Sequence, residues 1–253
     1  MNLTITYAPD SDIKYEMYGV TCNKTTKQLN PENYAASKKN AALWIVGNCL
    51  CSGRMAYVKE LQKHYPVDIY GHCGKKEICR EAVGSQMRSN CISDFLEKYK
   101  FYLAFENSYC ENYYTEKVVK TTRVKTIPVV LGLPNYTEIF GAGTHVNARD
   151  FPSPKDLATH LHKLSDDDEA YNGIMRQKLH MKCTHNYQIT DMFCDLCKTL
   201  HNRIGQRHTV PDVRTIWGVK ENCVNPREFF KDIGGSAMGD FKISPAYALH
   251  DMK

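Results

Sequence analysis

Apolar residues in the 253-residue chain alternate between short continuous runs and longer stretches spaced by three or four positions. "LWIVG" (43–47) reads as a buried strand, and "GRMAYVKELQKHY" (53–65) puts Met55, Val58 and Leu61 on one helical face before "VDIY" (67–70) returns as a strand. A second unit follows the same order: "KFYLAF" (100–105) as a strand with Tyr102 and Phe105 in the core, "TEKVVKTTRVK" (115–125) as a helix, and "IPVVLG" (127–132) as a strand closed by Gly132. "HVNARDF" (145–151) holds a further strand, and "SPKDLATHLHKL" opens a helix with Ser153 as N-cap, Pro154 at the first helical position and Leu157, Leu161 and Leu164 as its apolar stripe. Strands alternating with helices predict an α/β fold with a mostly parallel, doubly wound sheet.

Such sheets bind ligands beyond the carboxyl ends of their strands. The loop after Phe105, "ENSYCENYYTEK", carries carboxylates, amides, phenols and an ammonium within a dozen residues, a density that polarity alone does not require. "GNCLCSGR" (47–54) follows the first strand and delivers Arg54 to a helix start, so two strand-end loops can converge on one crevice. No G-x-G-x-x-G and no G-x-x-x-x-G-K-[ST] occurs, so a phosphate-bearing ligand would be held by side chains and helix ends.

Composition narrows the class. With 42% hydrophobic and 24% charged residues the chain is neither disordered nor fibrous, and a net charge of +5 without a Lys/Arg cluster interleaved with aromatics leaves no nucleic-acid footprint. No apolar run is long enough to span a bilayer, and "MNLTITYAPDSDIKYEMYGV" has neither the basic nor the apolar region of an export signal. The acidic "SDDDEA" (165–170) reads as a solvated turn rather than a metal site, and no D-x-D motif accompanies it. The 11 cysteines, with acceptor sequons at Asn2, Asn23 and Asn135, point to an oxidising lumen, and the missing signal then implies an incomplete chain.

"YKFYLAFENSYCENYYTEK", "IPVVLG" and "NYTEIF" together resemble the signature region of the α1,3-fucosyltransferases of glycosyltransferase family 10, F-E-N-S, then Y-x-T-E-K, then V-P-V-V-x-G. "TITYAPDSDIKYEMYG", "KNAALWIVGNCLCSGRMAYVKEL" and "VDIYGHCGKK" resemble the family's upstream segments in order, over roughly residues 4–200. The resemblance implies a GT-B architecture, two Rossmann-like domains across a cleft, of which this chain holds the donor domain. Residues 1–30 would be a remnant of the acceptor domain and junction, 31–204 the GDP-fucose-binding domain, and 205–253 a divergent C-terminal tail.

It also implies roles. Arg54 and Lys117 would meet the diphosphate of GDP-fucose, Glu116 the fucose hydroxyls and the positive charge near the anomeric carbon, and Asn107 and Tyr113 the nucleotide. Tyr7 would approach the cleft from the junction, and Glu106 has a competing structural reading, tying the strand end to a neighbouring N–H. The reaction would be inverting transfer of L-fucose to O3 of GlcNAc in a glycoprotein glycan, with no cofactor and no active-site metal, in the Golgi lumen of a type II membrane protein whose anchor is absent here. The general base, a carboxylate of the acceptor domain, is absent from this chain, so an inactive GDP-sugar-binding module is the alternative. "VVKTTRVKT" and "GAGTHV" depart from the family pattern and leave the packing of the donor loop open.

The remaining cysteines carry two readings. Cys183, His185, Cys194, Cys197 and His201 form a possible zinc set. The resemblance instead places Cys194 and Cys197 at a C-x-x-C that forms luminal disulfides, and this is the expectation adopted; an odd cysteine total leaves at least one thiol outside intrachain pairing.

Overall fold

The computed structural model describes residues 2–16, 18–49, 53–74, 78–79, 85–185, 189–217 and 222–234. Three short strands come first: β1 (Ile5–Thr6), β2 (Ile13–Lys14) and β3 (Val20–Lys24). The main sheet then follows as β4 (Lys39–Ile45), β5 (Val67–Tyr70), β6 (Tyr99–Phe105), β7 (Ile127–Leu131) and β8 (Val146–Asn147). Its strands are all parallel and lie in the order β5-β4-β6-β7-β8, the doubly wound arrangement that the alternating pattern predicts.

Both faces of this sheet are covered, which is why its strands read as continuous apolar runs rather than as alternation. On one face Ala42, Trp44, Phe101, Leu103, Phe105, Ile127, Val129 and Leu131 pack against Tyr57, Val58 and Leu61 of α1 (Arg54–Leu61). Leu157, Leu161 and Leu164 of α5 (Pro154–Asp166) complete that layer, and Ser153 caps α5 by accepting from the Asp156 N–H at 3.2 Å. On the other face Ala41, Leu43, Tyr102, Ala104 and Val130 meet Leu96 of α2 (Ser85–Glu97), Val118 and Val119 of α3 (Glu116–Val119), and Tyr136 and Phe140 of α4 (Tyr136–Phe140). Tyr102 and Phe105 are therefore both core residues, on opposite faces.

The structure departs from the sequence expectations at several points. The predicted helix over 115–125 is a single α turn followed by a 3-10 turn, Lys120–Arg123, because Thr121 and Thr122 spend their hydroxyls on the carbonyls of Val118 and Val119. The acidic stretch at 165–170 is a helix junction: Asp167 accepts from the Ala170 N–H at 2.9 Å and caps α6 (Asp168–Leu179). Downstream of it, β9 (Met181–His185) pairs antiparallel with β3, joining residues about 160 positions apart.

The cysteine expectation is corrected. Disulfides join Cys22 to Cys183, Cys49 to Cys73, Cys79 to Cys91 and Cys110 to Cys223, whereas Cys194 and Cys197 are exposed thiols. They sit inside α7 (Ile189–Asn202), where side chains three apart hold their Cβ atoms about 5–6 Å from each other, beyond the roughly 3.8 Å that a disulfide spans. The zinc reading loses Cys183 to its bond with Cys22, and no cluster of three metal-ligating side chains occurs among the described residues. The side chain of His185 and the whole of Cys51 lie outside the described residues.

Residues 222–234 join the same core. Phe229 stacks on Tyr109 with ring centroids 3.7 Å apart, Phe230 packs on Tyr57 and Tyr109, and the Cys110–Cys223 bond fastens the segment to the loop after β6.

Candidate active site

In this strand order the direction of winding reverses between β4 and β6, so the loops leaving their carboxyl ends diverge and open a crevice. The two loops singled out in the sequence are the ones that border it. Arg54 begins α1 directly after Gly53, whose φ of 72° turns the chain into the helix in a region that disfavours any side chain bearing a Cβ.

Arg54 does not stand free on the surface. Only 2% of it is exposed, and its guanidinium donates to the Phe105 carbonyl at 2.8 Å and to the Asn48 carbonyl at 3.3 Å, 5.8 Å from the Trp44 ring. One side chain therefore bridges the ends of both strands that flank the crevice. Five N–H donors in a rigid fork suit Arg for that bridge, and the same fork suits phosphate oxygens.

Glu106, the first residue beyond β6, is fully buried. Its N–H donates to the Leu131 carbonyl at 2.9 Å, which fixes it against β7. Its carboxylate accepts from the Thr115 N–H at 2.9 Å and the Thr115 hydroxyl at 2.8 Å, and from the Lys117 ammonium at 3.1 Å. The structural reading of Glu106 is thus realised in the Thr115 N–H contact. Burial raises the Glu106 carboxyl above its ordinary pKa, against the pull of Lys117 and the Thr115 hydrogen bonds.

Lys117 also donates to the Thr115 hydroxyl at 2.7 Å and lies 3.5 Å from Glu116. For Glu116, burial acts upward, but the charges of Lys117 and Lys120 together with hydrogen bonds from the Thr115 side chain and its own N–H outweigh it and hold the carboxyl below its ordinary value. Lys120 is shifted down by burial, with Glu116 opposing. A partly exposed carboxylate thus stays ionised between two cations.

The other predicted residues meet on the outer side of the loop. The Tyr113 hydroxyl donates to the Asn107 side-chain oxygen at 3.0 Å, and the Tyr7 ring lies 5.6 Å from the Tyr113 ring. Tyr7 arrives from the strand pair β1–β2, which are parallel to one another and separated by a turn in which Asp12 accepts from the Thr4 N–H and hydroxyl, each at 2.9 Å. All six predicted residues therefore lie along the loops after β4 and β6 or touch them.

Sequence reasoning assigned no ligand role to Thr115, Lys120 or Tyr18. Burial raises the Tyr18 phenol, and Glu116 and Glu106 add to the shift, which places Tyr18 in the field of the same carboxylates. Thr115 stands inside the T-E-K motif, so its position was visible, but that its hydroxyl turns back to Glu106 was not.

The fold and these loops define a parallel-sheet domain with a polar, charge-paired crevice at its switch point. Residues 35–217 match "Glycosyltransferase family 10 (fucosyltransferase) C-term", and the chain belongs to that family. It is 36% identical over 208 residues to glycoprotein 3-alpha-L-fucosyltransferase A of Drosophila melanogaster, covering 80% of this chain and 40% of that protein. It is 32% identical over 200 residues to human 4-galactosyl-N-acetylglucosaminide 3-alpha-L-fucosyltransferase FUT6, covering 78% and 52%. The chain thus spans about half the length of the curated relatives it matches. A crystal structure of an α1,3-fucosyltransferase with GDP-fucose superimposes with a TM-score of 0.55 at 22% identity, over 70% of this chain and 51% of the other. One with GDP gives 0.52 at 20% identity, over 67% and 48%. These superpositions bear out the expected fold, the Rossmann-like C-terminal half of a GT-B glycosyltransferase.

Proposed function

We propose that this chain is the GDP-fucose-binding half of an α1,3-fucosyltransferase that moves L-fucose to O3 of GlcNAc in glycoprotein glycans, with inversion. The observation that carries this reading is that Arg54, bonded to the Phe105 carbonyl, and the Glu106–Thr115–Lys117–Glu116 group meet at the carboxyl end of β6. As fucose departs, negative charge grows on the diphosphate, and fixed cations lower the barrier most where charge develops. Lys117 and Arg54 take that role, which in other transferases falls to a divalent cation, so the reading is of a transferase that needs no active-site metal. Glu116 accepts from fucose hydroxyls and faces the positive charge near the anomeric carbon. Asn107, Tyr113 and Tyr7 line the nucleotide.

No residue of this chain is assigned as general base. In this reading a carboxylate of an acceptor-binding domain deprotonates the GlcNAc hydroxyl, a contribution of about 10²–10⁴-fold. Residues 1–30 belong to the junction with that domain, and residues 31–204, with the 222–234 segment packed onto the same core, form the donor domain. The four disulfides support maturation in an oxidising compartment, consistent with a Golgi lumen. Among the described residues no helix is long and apolar enough to cross a membrane.

Calorimetric titration of the oxidised protein with GDP tests the donor site; no heat of binding would refute it. Transfer from GDP-fucose to GlcNAc-terminated acceptors, with and without a chelator, by this half joined to an acceptor-binding domain tests the reaction, using Glu116→Ala and Lys117→Ala as controls. Unchanged turnover in those variants would remove the assigned roles. GDP binding with no transfer would reduce the reading to a donor-binding module.

A further inference from the structure

We propose that Glu106 is a positioning residue: through Thr115 it aims the Lys117 ammonium and thereby sets how strongly the site distinguishes a nucleoside diphosphate from a monophosphate. The inference rests on the donor-site reading above and adds a residue that touches no ligand.

Three hydrogen bonds close a ring. The Thr115 hydroxyl donates its one proton to Glu106, at 2.8 Å to the nearer oxygen, and accepts from Lys117 at 2.7 Å, while Lys117 donates directly to Glu106 at 3.1 Å. Thr115 and Lys117 thus share the Glu106 carboxylate, and Lys117 cannot swing away without breaking two bonds. Lys117 reaches the Thr115 hydroxyl and the Glu106 carboxylate from one side, which leaves its remaining N–H groups directed away from the ring, with Glu116 3.5 Å off. A lysine side chain is ordinarily the most loosely held cation available to a site, with four rotatable bonds. Here the anchor is a wholly buried carboxylate whose main chain is itself bonded to β7.

Thr115 supplies a second sign that position outweighs local stability. It is the N-cap of α3, a place where a threonine hydroxyl usually accepts from a backbone N–H of the first turn, yet it makes no such bond. Its hydroxyl is turned inward to Glu106 instead.

The test is titration of the oxidised 253-residue chain with GDP and with GMP, for the wild type and for Glu106→Gln, Thr115→Val, Lys117→Ala and the Glu106→Gln/Lys117→Ala double variant. The wild type is expected to prefer GDP. Glu106→Gln should weaken GDP by about 10-fold, the order of one hydrogen bond to a charged group, while GMP changes by less than about 2-fold. In the Lys117→Ala background the same substitution should cost less than about 2-fold, because its effect runs through the lysine. A wild-type GDP-to-GMP ratio in Glu106→Gln, or an equal loss with and without Lys117, overturns the proposal. If Glu106→Gln does not fold, Thr115→Val decides: a ratio about 3- to 10-fold lower supports the ring, and an unchanged ratio overturns it. A wild type that binds GDP and GMP equally overturns this inference and leaves a nucleotide site; a wild type that binds neither overturns the donor-site reading with it.

Discussion

Arg54 donates to the main-chain carbonyl of Phe105 at 2.8 Å, so the first residue of α1 is bonded to the last residue of a strand 51 positions later. The bond crosses the point where the sheet changes its direction of winding, and it makes Arg54 part of the scaffold. Arg54→Ala should therefore lower stability even without nucleotide. Leaving the buried Phe105 carbonyl without a donor costs about 1–3 kcal/mol. Urea unfolding of the ligand-free protein measures this, and a variant with an unchanged midpoint would show that the bridge contributes nothing. Arg54→Lys should recover little, since one ammonium on a flexible stem cannot reproduce the fork.

The Cys110–Cys223 bond closes a span of 113 residues and holds Phe229 in its stack with Tyr109. Replacing both cysteines by serine should destabilise the oxidised protein by about 4–5 kcal/mol, from loop-closure entropy. A variant that unfolds at the wild-type denaturant concentration would contradict this. The same variant should expose the 222–234 segment to limited proteolysis first.

Lys178 is buried and donates to the Val124 carbonyl. Burial drives its pKa down to about 7, partly opposed by Glu97 and reinforced by Lys38. The folded pKa lies below the unfolded value of 10.5, so between pH 7 and 10.5 the unfolded chain binds more protons and stability from this group rises with pH. Below about pH 7 the cost of burying the charge is fully present. Lys178→Met should lose this slope, at most about 1.4 kcal/mol per pH unit. Parallel pH–stability curves for the two proteins between pH 7 and 9 would rule out the assignment.

Cys194 and Cys197 are exposed thiols on α7. Alkylation of the native, unreduced protein followed by peptide mapping should mark both of them. Finding the two linked to each other would show that the helix opens at this point.

Much of the architecture could be read from local periodicity. The 67–70 strand has the predicted bounds, the strand after α2 begins one residue earlier than expected, and Ser153 caps its helix as its sequence context required. These features depend on neighbours a few positions apart, and a linear pattern contains that information. The β3–β9 pair does not depend on neighbours. Cys22 faces Cys183 across two strands whose partnership no short window records. The C-x-x-C of α7 misled because its spacing records no partner, and the fold leaves both thiols exposed on the helix.

For the crevice the division is similar. Residue types and order alone singled out the polar, charged loops after the first and third strands of the parallel sheet, because a doubly wound sheet leaves its carboxyl ends open. The direction of each side chain was decided only by tertiary structure. Arg54 turns back onto strand carbonyls, and Glu106 turns inward to hold Thr115 and Lys117. A buried charge takes whichever partners the packing around it leaves within hydrogen-bonding distance. Those partners come from strands and loops that meet only once the whole sheet has formed.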